Sequence, residues 1–231
     1  MKKLGLIGGI GPESTIAYYR DIAYGVQKRL NAPVFPPLVI ESLSVFDVLR
    51  FCDEQDYDGL TAYLLRGVRH LAAAGAVFAA MTGNTPHVVF AELAEKSPVP
   101  LVSIVETACS EALHQHFRKI ALLGTEPTMK ADFFKRPFRE KGLDVVTPDK
   151  NEMKFIGAKM SEELELGIIS PETRSRCVQI VNRMIRDEKI DAVVLGCTEL
   201  PLLFKGEKLA VPYLDTMKIH VHKLIDMILS E

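Results

Sequence analysis

Cys197, Thr198 and Glu199 set a thiol, a hydroxyl and a carboxylate side by side, directly after Gly196. Ahead of them runs Ala192-Val193-Val194-Leu195, an unbroken apolar stretch that reads as a strand buried on both faces. The carboxyl end of such a strand is where open α/β sheets hold ligands, so Cys197 is the leading candidate for chemistry. Turn and helix N-terminal amides beyond it would favour its thiolate. The plainer reading of a lone cysteine is a small apolar core residue.

A second polar turn, Thr82-Gly83-Asn84-Thr85-Pro86-His87, follows the apolar run Val77 to Met81. Asn84, Thr85 and Thr198 read at the least as helix caps, and a cap can double as an anion cradle because both use free backbone amides. The first turn, Gly8-Gly9-Ile10-Gly11-Pro12-Glu13-Ser14, falls one residue short of a dinucleotide fingerprint, with Glu41 ending the next strand. Pro12 removes an amide that a pyrophosphate would need and the third glycine is absent, so nicotinamide binding is disfavoured. Ile10 and Gly11 are expected instead to line a substrate pocket.

The elements that must position these turns alternate throughout. Strands are expected at Lys3–Ile7, Leu38–Ile40, Val77–Met81, Leu101–Ile104, Lys119–Leu123, Leu143–Val146, Ala192–Leu195 and Ala210–Asp215. Helices are expected between them, the first from Glu13 to about Leu30 with Ile16, Tyr19, Ile22, Ala23 and Val26 on its apolar stripe. Ser42 to Asp47 reads as a loop, and Met129 to Lys141 as one helix. This pattern predicts an α/β fold with mostly parallel strands. It also repeats: Leu6-Ile7-Gly8-Gly9 matches Leu122-Leu123-Gly124-Thr125, and Phe78 to Thr85 lies over Ala192 to Glu199, which sets Gly83 where the mate of Cys197 would be.

Bulk properties narrow the classes. In 231 residues, 48% are hydrophobic and 25% charged, as in an ordinary globular protein. A formal net charge of -2 argues against nucleic acid or an anionic membrane as partner. No apolar run approaches the roughly 18 residues of a spanning helix, and the start of the chain lacks a signal-peptide pattern, so a cytoplasmic protein is expected. Cys52, Cys109, Cys177 and Cys197 show no pairing pattern, which suggests neither disulfides nor a metal site.

Together, Leu4-Gly5-Leu6-Ile7-Gly8-Gly9 with Glu13-Ser14-Thr15, Gly83-Asn84-Thr85-Pro86-His87, Leu122-Leu123-Gly124-Thr125 and Gly196-Cys197-Thr198-Glu199 resemble the aspartate/glutamate racemase superfamily, the aspartate branch most closely. The resemblance implies two similar α/β lobes related by a pseudo-two-fold axis, residues 1–103 plus 208–231 and residues 104–207, with the active site in the cleft between them. It further implies a homodimer acting on a small amino acid or related carboxylic acid without a cofactor. Members usually carry Cys-Asn-Thr in the first motif and Gly-Cys-Thr in the second, two cysteines working opposite faces of the α-carbon. Here Cys197 fills the place facing the L enantiomer, and the other place is Gly83, which has no side chain to carry a proton. Thr82, His87 or an admitted water are the candidate substitutes, Thr82 being disfavoured by strand alternation and by the weak acidity of an alkyl hydroxyl.

The resemblance also implies substrate contacts at Asn84, Thr85, Thr198, Glu199 and Thr125, and side-chain contacts at Ser44 and Cys52. Val48 and Glu165 stand where archaeal-type aspartate racemases hold the distal carboxylate with basic residues, and Lys159 is the candidate replacement for the second. Cys109 and Cys177 look like helix core positions, and His220, following the family-like Asp215-Thr216 on the closing helix, is a candidate for standing behind the site residues. The alternative readings are a decarboxylase or isomerase of a small carboxylic acid, as in the glycine-bearing arylmalonate decarboxylase branch, or a binding protein that has lost catalysis.

Overall fold

The computed structural model describes residues 1–164 and 167–230. Two compact units emerge, Met1–Thr107 with Met217–Glu231, and Ala108–Thr216.

The first unit runs β1 (Leu4–Gly8), α1 (Pro12–Leu30), β2 (Leu38–Ser42), α2 (Val45–Asp53), α3 (Tyr57–Ala73), β3 (Phe78–Met81), a 3-10 turn (Thr85–Val89), α4 (Phe90–Lys96) and β4 (Leu101–Val102). Then come α5 (Ile104–His114), whose remainder lies in the second unit, and α11 (Thr216–Leu229) at the chain's end. Its sheet has the order β2-β1-β3-β4, every pairing parallel. Period-two alternation puts Leu4, Leu6, Phe78 and Ala80 into one core cluster with Tyr18 and Ile22. Ile7, Ala79 and Met81 go into another with Leu60, Leu64 and Val68 of α3. Both faces are apolar, which is why these strands read as continuous hydrophobic runs.

The second unit continues with β5 (Lys119–Leu123), α6 (Glu126–Lys130), α7 (Asp132–Glu140), β6 (Asp144–Val146), α8 (Lys150–Glu162), α9 (Pro171–Glu188), β7 (Ala192–Leu195), α10 (Leu200–Phe204) and β8 (Tyr213–Asp215). The order β6-β5-β7-β8 reproduces the first sheet strand for strand, again all parallel.

Several local expectations are corrected. The loop expected over Ser42 to Asp47 is only Leu43 and Ser44: Ser42 ends β2, and the Ser44 side chain accepts the Asp47 amide and starts α2. The single helix expected over Met129–Lys141 is two, because Ala131 is extended at ψ 152°. On α1 the buried stripe is Ser14, Tyr18, Ile22, Ala23 and Val26, while Ile16 and Tyr19 are exposed. The strand expected at Leu101–Ile104 stops at Val102, since Ser103 accepts the Glu106 amide and begins the next helix.

Candidate active site

Each unit ends its first and third strands in tight turns, and the backbone there repeats. The Thr82 amide donates to Ile7 O at 3.0 Å, and the Gly196 amide donates to Leu123 O at 2.6 Å. With Ile7 paired to Met81 and Leu123 to Leu195, Gly83 and Cys197 occupy the same register position, two residues past β3 and β7.

In the second unit, Cys197, Thr198 and Glu199 are all half-buried. Cys197 Sγ donates to Glu199 Oε2 at 2.8 Å, and Thr198 Oγ1 donates to Glu199 Oε1 at 2.7 Å. Thr125, on the neighbouring turn after β5, caps α6: its hydroxyl accepts the Thr128 amide at 3.4 Å and lies 3.0 Å from Thr128 Oγ1. Gly124 and Gly196 are buried where that turn meets the end of β7, a Cβ at Gly124 falling 3.4 Å from Gly196 O. Thr216 Oγ1 fastens the end of β7 from the far side by donating to Leu195 O at 2.8 Å.

The first unit's turn is built on Gly9, whose φ is +75° and whose absent Cβ would lie 2.0 Å from Leu43 O. Its amide donates to Thr15 Oγ1 at 2.9 Å, and Thr15 Oγ1 donates to Gly11 O at 3.0 Å. Thr15 has one hydroxyl proton, so the 3.1 Å contact with Thr82 Oγ1 is a bond from Thr82 to Thr15. Thr82, fully buried, therefore has its hydroxyl engaged within the turn. Ile10 is buried, and its carbonyl covers Gly83: a Cβ there would come 3.1 Å from Ile10 O and 3.3 Å from Ile10 Cγ2. Asn84 is buried and accepts the His87 amide at 3.0 Å through its backbone, while Thr85 is half-buried at the head of the 3-10 turn.

His87 is locked. Its Nδ1 donates to Gly83 O at 3.0 Å and its Nε2 accepts the Ile104 amide at 3.3 Å, so both ring nitrogens bond to backbone. Burial lowers its pKa to about 4, against the pull of the backbone acceptors, and the ring is neutral near pH 7. That removes the imidazolium which would have been the natural acid beside Gly83. His220 is likewise fully buried, between Tyr18 OH at 2.8 Å and Val102 O at 3.2 Å. Burial first, then the neighbouring His87, pushes its pKa down to about 3.

The more distant candidates are occupied. Ser44 caps α2, and its amide donates to Tyr63 OH at 3.0 Å. Cys52 is half-buried against the α3 core, with its thiol pKa raised by burial and then by Asp53. Lys159 Nζ lies 2.8 Å from Glu163 and 3.4 Å from Glu162, and the Glu163 bond holds its pKa above the ordinary lysine value. Val48 is a core residue of α2. Glu165 lies outside the described residues. Cys109 and Cys177 are buried, the second with its pKa pushed up to about 12 by burial. Glu41, the acidic residue of the dinucleotide-like pattern, bonds His70 at 2.9 Å instead.

Sequence reasoning missed Thr15 as the hub of the first turn. A hydroxyl in the first helical turn after a glycine pair is the available signal, but the same residue type there usually serves only its own helix. Thr128 was missed too, although Thr-x-x-Thr is a recognisable cap spacing.

The model of the family described as Asp/Glu/Hydantoin racemase matches residues 7–224. The broad specificity amino-acid racemase RacX of Bacillus subtilis is 23% identical over 219 residues, covering 92% of each chain. The crystal structure of a Yersinia pestis protein assigned to the Asp/Glu racemases is 31% identical with a TM-score of 0.94, both chains covered in full. That of an aspartate racemase homologue from Pyrococcus horikoshii OT3 is 35% identical with a TM-score of 0.88, again over the whole of both chains. With its paired parallel sheets, its repeated strand-end turns and a match over nearly its full length, this chain belongs to the Asp/Glu/hydantoin racemase family.

Proposed function

We propose that the protein is a cofactor-independent amino-acid racemase of the aspartate/glutamate type in which Cys197 is the acid/base for the L face of the α-carbon. The observation that carries this reading is the half-buried Cys197 thiol at the end of β7, hydrogen-bonded to a carboxylate. An α-proton is very weakly acidic, so its removal needs the carboxylate of the substrate held among donors while the developing charge spreads onto it. The donors this reading assigns are the turn amides at Asn84 and Thr85 after β3, at Thr125 after β5 and at Thr198 after β7.

The resemblance implies a second thiol at position 83 for the opposite face, and that position is glycine. With Thr82 bonded to Thr15 and His87 neutral and bonded at both nitrogens, water is the proton source this reading assigns to the D face. Chemistry on the two faces is therefore unequal. In heavy water, the α-hydrogen of an L-amino acid should exchange faster than that of its D form, followed by NMR. Equal exchange of both forms, or exchange that survives Cys197→Ala, refutes the reading.

Lys159 is tied to two carboxylates, and Val48 is apolar, so nothing at these positions favours a distal carboxylate. The substrate panel therefore includes neutral amino acids beside aspartate and glutamate. A homodimer is the assembly the resemblance implies, read in sedimentation as about twice the 25.7 kDa chain.

A further inference from the structure

We infer that Glu199 is a positioning residue for Cys197, holding the sulfur in its protonated, proton-donating state and fixing the direction of the thiol. The inference deepens, and rests on, the reading of Cys197 as the acid/base. Glu199 stands at the N-cap position of α10, yet its side chain makes no capping bond to that helix. It turns back on the two residues before it, taking the thiol at 2.8 Å on Oε2 and the Thr198 hydroxyl at 2.7 Å on Oε1. Both oxygens are engaged, so the carboxylate is held in one orientation against the sulfur.

Two effects of the carboxylate then act with the same sign. It accepts the thiol's proton in a hydrogen bond, which stabilises S–H, and its negative charge repels a thiolate. All three side chains are half-buried, so solvent screens the interaction less than on an open surface. The activation expected from the primary structure was the reverse, helix amides favouring thiolate. α10 is only five residues long and carries Pro201, which has no amide proton, near its start.

The consequence for the reaction is a defined proton route. Delivering a proton, the Cys197 S–H bond breaks as the electron pair of the substrate's enediolate forms the new C–H bond, leaving a thiolate. Removing one, the sulfur first passes its proton to Glu199 Oε2, forming O–H as S–H breaks. The thiolate then takes the α-proton while the C–H pair moves into the substrate carboxylate.

Iodoacetamide alkylation at pH 7, with each cysteine followed by peptide mass spectrometry, reads the thiolate without needing turnover. In Glu199→Gln, Cys197 should react about tenfold faster than in the unaltered protein. Cys52 supplies the internal control and should not change, while Glu199→Asp should stay near the unaltered rate. In α-hydrogen exchange, Glu199→Gln should lower kcat at least tenfold with little change in KM, and Glu199→Asp should restore part of it. A Cys197 alkylation rate in Glu199→Gln equal to or below that of the unaltered protein overturns the inference, as does an Asp variant as altered as the Gln one. If Glu199→Gln loosens the fold, Cys52 reactivity will rise, and Thr198→Val decides instead. Freeing Oε1 should speed Cys197 alkylation, and an unchanged rate overturns the inference. Absence of exchange by the unaltered protein would refute the racemase reading alone, since alkylation still tests Glu199.

Discussion

Two neutral histidines buried on either side of one short strand should make the first unit acid-labile. His220 donates to Val102 O and His87 accepts the Ile104 amide, so between them they bracket β4 and the start of α5. The folded pKa values are about 4 for His87 and about 3 for His220, both below the ordinary 6.5. A lowered folded value means the unfolded chain binds protons first, so stability is full above about pH 6.5 and drains as the pH falls. Down to about pH 4, each ring removes about 1.4 kcal/mol per pH unit, or about 2 kcal/mol apiece by pH 5. The sum of ~4 kcal/mol is a large part of the 5–15 kcal/mol that holds a typical domain together. Urea unfolding at pH 7, 6 and 5, read by circular dichroism, measures the slope. His220→Asn should roughly halve it, whatever its cost in absolute stability. A flat profile between pH 7 and pH 5, or an Asn variant with the unaltered slope, refutes the reasoning.

Gly83→Cys should fit, because the backbone there lies outside the left-handed region, but not freely. The new Cβ would sit 3.1 Å from Ile10 O, so the turn must yield by a few tenths of an ångström, at about 1 kcal/mol in denaturant unfolding. If a missing acid limits turnover, that variant should racemise faster and exchange the D form nearly as fast as the L form; no gain in D-form exchange would show that the thiol is not what is lacking. Thr15→Val removes the acceptor of Gly9 N and Thr82 and the donor to Gly11 O, and should cost about 1–3 kcal/mol in thermal or urea unfolding. A loss well under that range would mean the hydroxyl is not the hub of the turn.

Much of the architecture was legible in the chain itself. The apolar runs Val77–Met81, ended by Thr82-Gly83, and Ala192–Leu195, ended by Gly196, gave the strands at Phe78–Met81 and Ala192–Leu195, and alternation with helices gave a parallel α/β fold. The repeat of Leu6-Ile7-Gly8-Gly9 in Leu122-Leu123-Gly124-Thr125 anticipated two sheets of one topology. These signals are local, because hydrophobic period and turn chemistry are written into neighbouring residues. On α1 the period alone could not choose between two adjacent stripes. Packing against β1, β3 and α11 buries Tyr18 and leaves Tyr19 out.

The availability of each candidate for chemistry was a different matter, because it depends on partners far away in the chain. Thr82 is engaged by a hydroxyl 67 residues earlier, and His87 by an amide 17 residues later. His220 is held by a carbonyl 118 residues away. Residue type says what a side chain can donate or accept, and only the folded chain says whether that capacity is already taken. Glu199 shows it at shortest range: in the primary structure it is a carboxylate near a cysteine, and the turn after β7 is what swings it onto the sulfur instead of onto its own helix.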